Sequence, residues 1–119
     1  TEKWQEAKGT YRDVKWQRAA QQNRKSGEVH STPFHGEPNS VFDNYKDGKL
    51  YQRRYYGKTG NPRFDIDMTD HGNPKEHPVA PHYHSWKETG EGAPKRDSRH
   101  DQALKTSHRI ANADILRKE

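Results

Sequence analysis

Only ten of the 119 residues are Val, Ile or Leu, so a large aliphatic core is out of reach for this chain. Hydrophobic residues make up 26 % and charged residues 33 %, close to the composition at which chains stop folding. Three Trp, six Tyr and three Phe offset this shortage, because each buried ring removes roughly 150–250 Å² from water. The expected core is small and aromatic. At this length a Rossmann domain or a TIM barrel is excluded.

No apolar run approaches the ~20 residues of a membrane-spanning helix. The absence of cysteine excludes disulfides, thiolate metal sites and cysteine nucleophiles. A formal charge of +5 with neutral His favours an acidic partner such as nucleic acid, though charge alone is weak evidence.

The spacing of Trp4, Ala7, Tyr11 and Val14 predicts a helix within residues 1–26, continued by Trp16, Ala19 and Ala20 and stopped at Gly27. This segment reads as a helical part of the domain or as a linker from a longer protein. Residues 27–119 then form a single small domain. Residues 27–40 read as loop. Val41–Tyr45, Leu50–Tyr56 and Pro62–Met68 read as strands, joined by an Asp47-Gly48 turn and by the Gly57–Asn61 turn. Phe64, Ile66 and Met68 alternate with Arg63, Asp65 and Asp67, which predicts one buried and one wet face. Residues 71–96, crowded with His, Pro and Gly, fit no regular element. Residues 97–118 read as a second helix carrying Leu104, His108, Ala111 and Ile115 on one stripe. The fold class is therefore α+β: N-terminal helix, antiparallel meander of three or four strands, long His/Pro-rich loop, C-terminal helix.

Four of the eight His lie between positions 71 and 84, and Asp65, Asp67 and Asp70 lead into them. Imidazole titrates nearest neutrality, so this cluster suits proton transfer. His82 and His84, two apart, share one side of an extended chain. In one reading, His71, His82 and His84 (and less favourably His77) act as acid and base on an RNA phosphodiester. Arg54 stabilises the developing charge, Asp70 orients a His, and Arg53, Tyr55, Lys58 and Lys75 hold RNA. This route needs no cofactor. In a second reading, the same His/Asp cluster binds Zn²⁺ or Mg²⁺ in a metal-dependent DNase. In a third, the chain is a non-catalytic phage-structural or interaction module. Beside each functional reading stands a plainer one: the His cluster is hydrated surface, Asp65 and Asp67 pair across strands with Arg53 or Arg54, the Tyr side chains are shared between core and surface, and Arg24-Lys25 and Lys95-Arg96 are solvated charges or phosphate contacts. His30, His35, His100 and His108 are scattered and read as structural.

Four segments carry a resemblance: Gly36–Val41, Gln52–Tyr56, Asp65–Pro78 and Pro81–Trp86. Together they resemble a module at the C-termini of bacterial polymorphic toxins of the contact-dependent inhibition and Rhs types. Similar modules are fused to phage minor head proteins. The resemblance covers roughly residues 36–90 and is most specific from Asp65 to Trp86. It implies a tip of a larger delivery protein, acting in the target-cell cytoplasm and neutralised by a cognate immunity protein. Many such tips are nucleases, and one group resembles barnase, EndoU and colicin ribonucleases, with helices followed by an antiparallel sheet. The implied substrate is tRNA or rRNA. No residue is carried over from that group; the roles above rest on side-chain chemistry.

Overall fold

A computed structural model of the chain describes residues 2–68, 81–99 and 102–116, apart from the side chains of residues 2–6. One helix, α1 (Glu2–Gln21), precedes six strands: β1 (Arg24–Gly27), β2 (Ser40–Lys46), β3 (Lys49–Tyr56), β4 (Pro62–Asp67), β5 (His82–Lys87) and β6 (Lys95–Arg96). Two short helices, α2 (Thr106–Ala111) and α3 (Ala113–Leu116), follow. The strands lie in sequence order in one mixed sheet: β1 runs parallel to β2, and every other neighbour is antiparallel. No helix among the described residues is long and apolar enough to cross a membrane.

The expected meander is β2–β3–β4. Its first turn has Asp47 and Gly48 at φ 52° and 76°, the left-handed pair a two-residue hairpin demands. Three sequence expectations need correction. The helix ends at Gln21 rather than Gly27, and the chain turns at Gln22 and Asn23 to pair Arg24–Gly27 with β2. The His/Pro segment contains β5, so the sheet is larger than three or four strands. Finally, residues 97–99 and 102–105 are not helical. Their backbone is drawn to the free edge of β5: Asp97 N–H donates to the Ser85 carbonyl, and Tyr83 N–H donates to that of Gln102. Helix begins only at Thr106 and is interrupted at Asn112.

Strand alternation sorts the sheet into two faces. Cross-strand rows Val41–Tyr55–Phe64–Ser85 and Asp43–Arg53–Ile66–Tyr83 form one face. Against it pack Ala20 of α1 and Leu104, with Trp16, Ile115 and Leu116 at the margin. Tyr55 stacks on Phe64 with ring centroids 4.5 Å apart, and Trp16 tilts against Tyr55 at 5.8 Å. Tyr11, expected on the buried stripe, is exposed, whereas polar Gln17 is buried. Gln17 is there because its side chain accepts from Asn112 Nδ2 at 2.8 Å. The same Asn112 accepts from Tyr55 Oη and from Arg53 Nη1. Arg53 also forks onto Asp43 at 2.7 and 3.0 Å. Burial works against the Arg53 charge, but hydrogen bonds to Asp43 and Asp114 outweigh it and hold its pKa above the ordinary value. A charged cluster thus supplies much of what few aliphatic side chains cannot, and ties α1, the sheet and the α2–α3 junction together.

The rows Phe42–Arg54–Asp65–His84 and Asn44–Gln52–Asp67–His82 form the opposite face. This face was expected to be wet, yet Asp65 and Asp67 are fully buried. The 28–39 loop crosses it: Arg54 Nη1 donates to the carbonyls of Thr32 and Pro33, and Tyr56 Oη donates to that of Pro33. The loop is stitched to the β3–β4 turn, where Gly36 N–H donates to the Gly60 carbonyl at 3.0 Å.

Candidate active site on the polar face of the sheet

The site follows from sheet register. Asp67 on β4 stands opposite His82 on β5, and His84 lies two residues further along the same side. His82 Nε2 is 3.5 Å and His84 Nε2 3.3 Å from Asp67 Oδ2. The side chains of all three are at most 1 % exposed. The two imidazoles meet edge to face, with centroids 4.9 Å apart.

Two of the three are held from behind. His84 Nδ1 is 2.8 Å from the Asp97 carbonyl; a carbonyl only accepts, so Nδ1 carries a proton, and Nε2 faces Asp67. Asp67 Oδ1 accepts from Gln52 Nε2 at 2.8 Å. Gln52 Oε1 in turn accepts from Thr32 Oγ1, and Thr32 Oγ1 accepts from Asn44 Nδ2 at 3.2 Å. Burial alone would raise the Asp67 pKa. Hydrogen bonds from His84 and Gln52 and the Arg96 charge overcome that and hold the carboxyl well below the usual carboxylate range.

Arg96 bridges the two buried carboxylates: Nε donates to Asp65 Oδ2 at 3.3 Å and Nη2 to Asp67 Oδ2 at 3.2 Å. Its side chain is 33 % exposed, so the cation also reaches solvent. Asp65 further accepts a bidentate fork from Arg54 (2.7 and 3.0 Å) and a bond from Trp86 Nε1 at 3.1 Å. These groups open onto a basin of about 400 Å³, lined by Lys46, Tyr51, Arg54, His84, Trp86 and Arg96, with His30 and Thr32 from the crossing loop. Lys46 Nζ sits 3.9 Å above the Tyr51 ring. Burial first, then the Asp67 charge, raises the Tyr51 pKa, so its phenol stays protonated. The basin thus presents two imidazoles, one phenol and three side-chain cations beside the Asp67 carboxylate, a lining whose net positive charge suits a phosphoryl group.

Of the residues singled out in the sequence, His84 and Arg54 line the basin. His82 does not: it packs behind His84 against Asp67, a position for holding the pair rather than for meeting a substrate. Arg54 is locked on Asp65 and two carbonyls, so it acts through its charge rather than as a free fork. Arg53 and Tyr55, expected to hold RNA, point to the opposite face and are buried there, and Lys58 lies in a separate groove with Trp16 and Arg63. Asp70, His71, Lys75 and His77 lie outside the described residues.

Sequence reasoning missed Asp67 as an orienting carboxylate and read Arg96 as a solvated charge or a phosphate contact, with no tie to the His cluster. The signal for Asp67 was present: it alternates with Ile66, so a strand pairing β4 with His82–His84 brings carboxylate and imidazoles to one face. Arg96 carried no such signal, since its place depends on a two-residue strand. Compared with known proteins, the chain matches no family model, and no curated protein or solved structure is significantly similar to it.

Proposed function

We propose that this chain cleaves RNA, with His84 as the proton-transfer group and Arg96 as the cation facing the scissile phosphate. The observation that carries the reading is the His84 couple. Asp67 and the Asp97 carbonyl fix the ring from both nitrogens, while the ring borders a cationic basin. In RNA cleavage the 2′-oxygen attacks phosphorus, the P–O5′ bond breaks, and protons leave the first oxygen and reach the second. His84 exchanges one of these protons when its Nε2, buried against Asp67 in this structure, opens to the basin, and Tyr51 and His30 are further proton-bearing groups on the lining. Arg96, Arg54 and Lys46 stabilise the charge on the non-bridging oxygens. Asp67, Gln52 and His82 position His84. A guanidinium 3.2 Å from Asp67 Oδ2 already supplies the cation this carboxylate requires, which favours the metal-independent route over the metal-dependent DNase reading.

The biological setting we infer rests on the resemblance of residues 36–90 to polymorphic toxin tips. The chain acts as the nuclease end of a delivered protein in the target-cell cytoplasm, against tRNA or rRNA, and is restrained by an immunity protein. The test is expression inside a bacterial cell, followed by RNA and DNA gels of the purified chain with and without EDTA. RNA cleavage that persists in EDTA and falls about 10²–10⁴-fold in His84→Ala is expected. Chelator-sensitive DNA cleavage selects the metal-dependent reading, and no cleavage with no toxicity selects a non-catalytic module.

A further inference from the structure

The three donors Asp67, His82 and His84 have a spacing that proton transfer does not require. Two of the three donor–donor separations, 3.3 and 3.5 Å from Asp67 Oδ2 to the imidazole Nε2 atoms, match edges of a coordination tetrahedron. Bonds of ~2.0–2.1 Å from zinc to nitrogen or oxygen subtend edges of roughly 3.3 Å. All three ligand atoms lie within 4.8 Å of one another. The strand register fixes two of them as a cross-strand pair and the third two residues along, so the set exists before any ion arrives. His84 also donates its other ring N–H to a backbone carbonyl, the outer hydrogen bond that orients metal-binding histidines. Asp67 and His84 both line the basin, so the set borders open space.

We propose that Asp67, His82 and His84 form a Zn²⁺ site whose occupation silences the nuclease. This rests on the reading of His84 as the proton-transfer group. Zn²⁺ takes the Nε2 lone pair that would otherwise accept a proton, and it takes the Asp67 oxygen from Arg96. The Arg96 guanidinium, partly exposed and 3.2 Å from Asp67 Oδ2, and the ion therefore compete for one carboxylate oxygen. Two imidazoles and one carboxylate suit Zn²⁺ and not Mg²⁺, which prefers an all-oxygen shell.

The test titrates the full chain with Zn²⁺ by calorimetry, with Co²⁺ as a spectroscopic stand-in, and follows RNA cleavage in parallel. Expected are one ion per chain, the intense visible bands of four-coordinate Co²⁺, and cleavage lost over the same Zn²⁺ range and restored by EDTA. Millimolar Mg²⁺ should leave cleavage unchanged. His82→Gln should weaken Zn²⁺ binding at least about 10-fold. Arg96→Gln should tighten it about 5-fold by removing the competing cation, a change of sign that a merely structural role for the cluster does not produce. Should His82→Gln fail to fold, Arg96→Gln and the Co²⁺ spectrum still decide. Absence of binding, a pale six-coordinate Co²⁺ spectrum, indifference to Arg96→Gln, or cleavage stimulated by Zn²⁺ overturns the proposal. A chain that binds Zn²⁺ as described yet cuts no RNA sinks the nuclease reading and its silencing while the metal site stands. One that cuts RNA regardless of Zn²⁺ does the reverse.

Discussion

His84 Nε2 lies 3.3 Å from Asp67 Oδ2, and that contact is made inside the protein, where neither residue has more than 1 % of its side chain exposed. A carboxylate there must be matched donor for donor. Asp67→Asn keeps the shape but removes the charge that His84 and Arg96 address. Expected are a loss of RNA cleavage of at least about 10²-fold and a loss of stability of about 1–3 kcal/mol. Cleavage rates and denaturant midpoints on one preparation check both. A variant that keeps full activity removes Asp67 from the site.

The Arg53–Asp43 fork belongs to the other face and serves the fold alone. Arg53→Met leaves Asp43 buried with its principal partner gone, a situation that costs about 3–5 kcal/mol. Urea unfolding should show a midpoint far below that of the parent chain, with cleavage per folded molecule unchanged. A near-parental midpoint would mean that the buried pair contributes little.

His108 provides a pH signature. It is buried beside Phe64 and Tyr83, and its Nδ1 accepts the Lys105 N–H at 3.1 Å, a role that needs the neutral ring. Burial first, then the Lys105 charge, lowers its pKa from 6.5 to about 4. The unfolded chain therefore binds this proton at higher pH than the folded chain. The stabilisation from His108 is complete above about pH 6.5 and drains away as the pH falls towards 4, by up to about 3 kcal/mol. Melting curves across that window should steepen for the parent relative to His108→Gln, whose amide oxygen can still accept. Parallel pH profiles would count against the assignment.

Two glycines should respond differently to alanine. Gly60 (φ +85°) lies so close to the Gly36 carbonyl oxygen that a Cβ would sit 2.5 Å from it, whereas at Gly48 (φ +76°) a Cβ meets nothing within 4 Å. Gly48→Ala therefore bears only the cost of its backbone conformation, about 1 kcal/mol. Gly60→Ala must also push the 28–39 loop away from the turn and should cost more, about 2–3 kcal/mol. Equal thermal shifts in the two variants would contradict the stitched-loop geometry.

Local rules carried the reading of the sequence as far as contacts are local. The Asp47-Gly48 turn, the alternation along β4 and the shared side of His82 and His84 are all legible within a few residues. Adjacent Arg53 and Arg54 show where that ends. They look alike, yet strand parity sends one into the core beside Asp43 and the other towards the basin beside Asp65, and only the cross-strand register decides which. Strand β5 was obscured by its flanking prolines and by histidines that resemble a loop until their partner Asp67 is found. Leu104 belongs by spacing to the helical stripe of His108, Ala111 and Ile115, but the bond from Tyr83 N–H to the neighbouring Gln102 carbonyl holds that backbone to the open edge of β5 and outweighs its helical preference.

The two charged layers sandwiching this sheet bear on how the molecule meets cold. Exposing apolar groups on unfolding raises heat capacity, and exposing polar groups lowers it. With Asp43, Arg53, Arg54, Asp65 and Asp67 all interior, unfolding should carry an unusually small heat-capacity increment for a chain of this size. The stability curve would then be shallow, and folding would persist on chilling well below the range where oil-like cores begin to weaken.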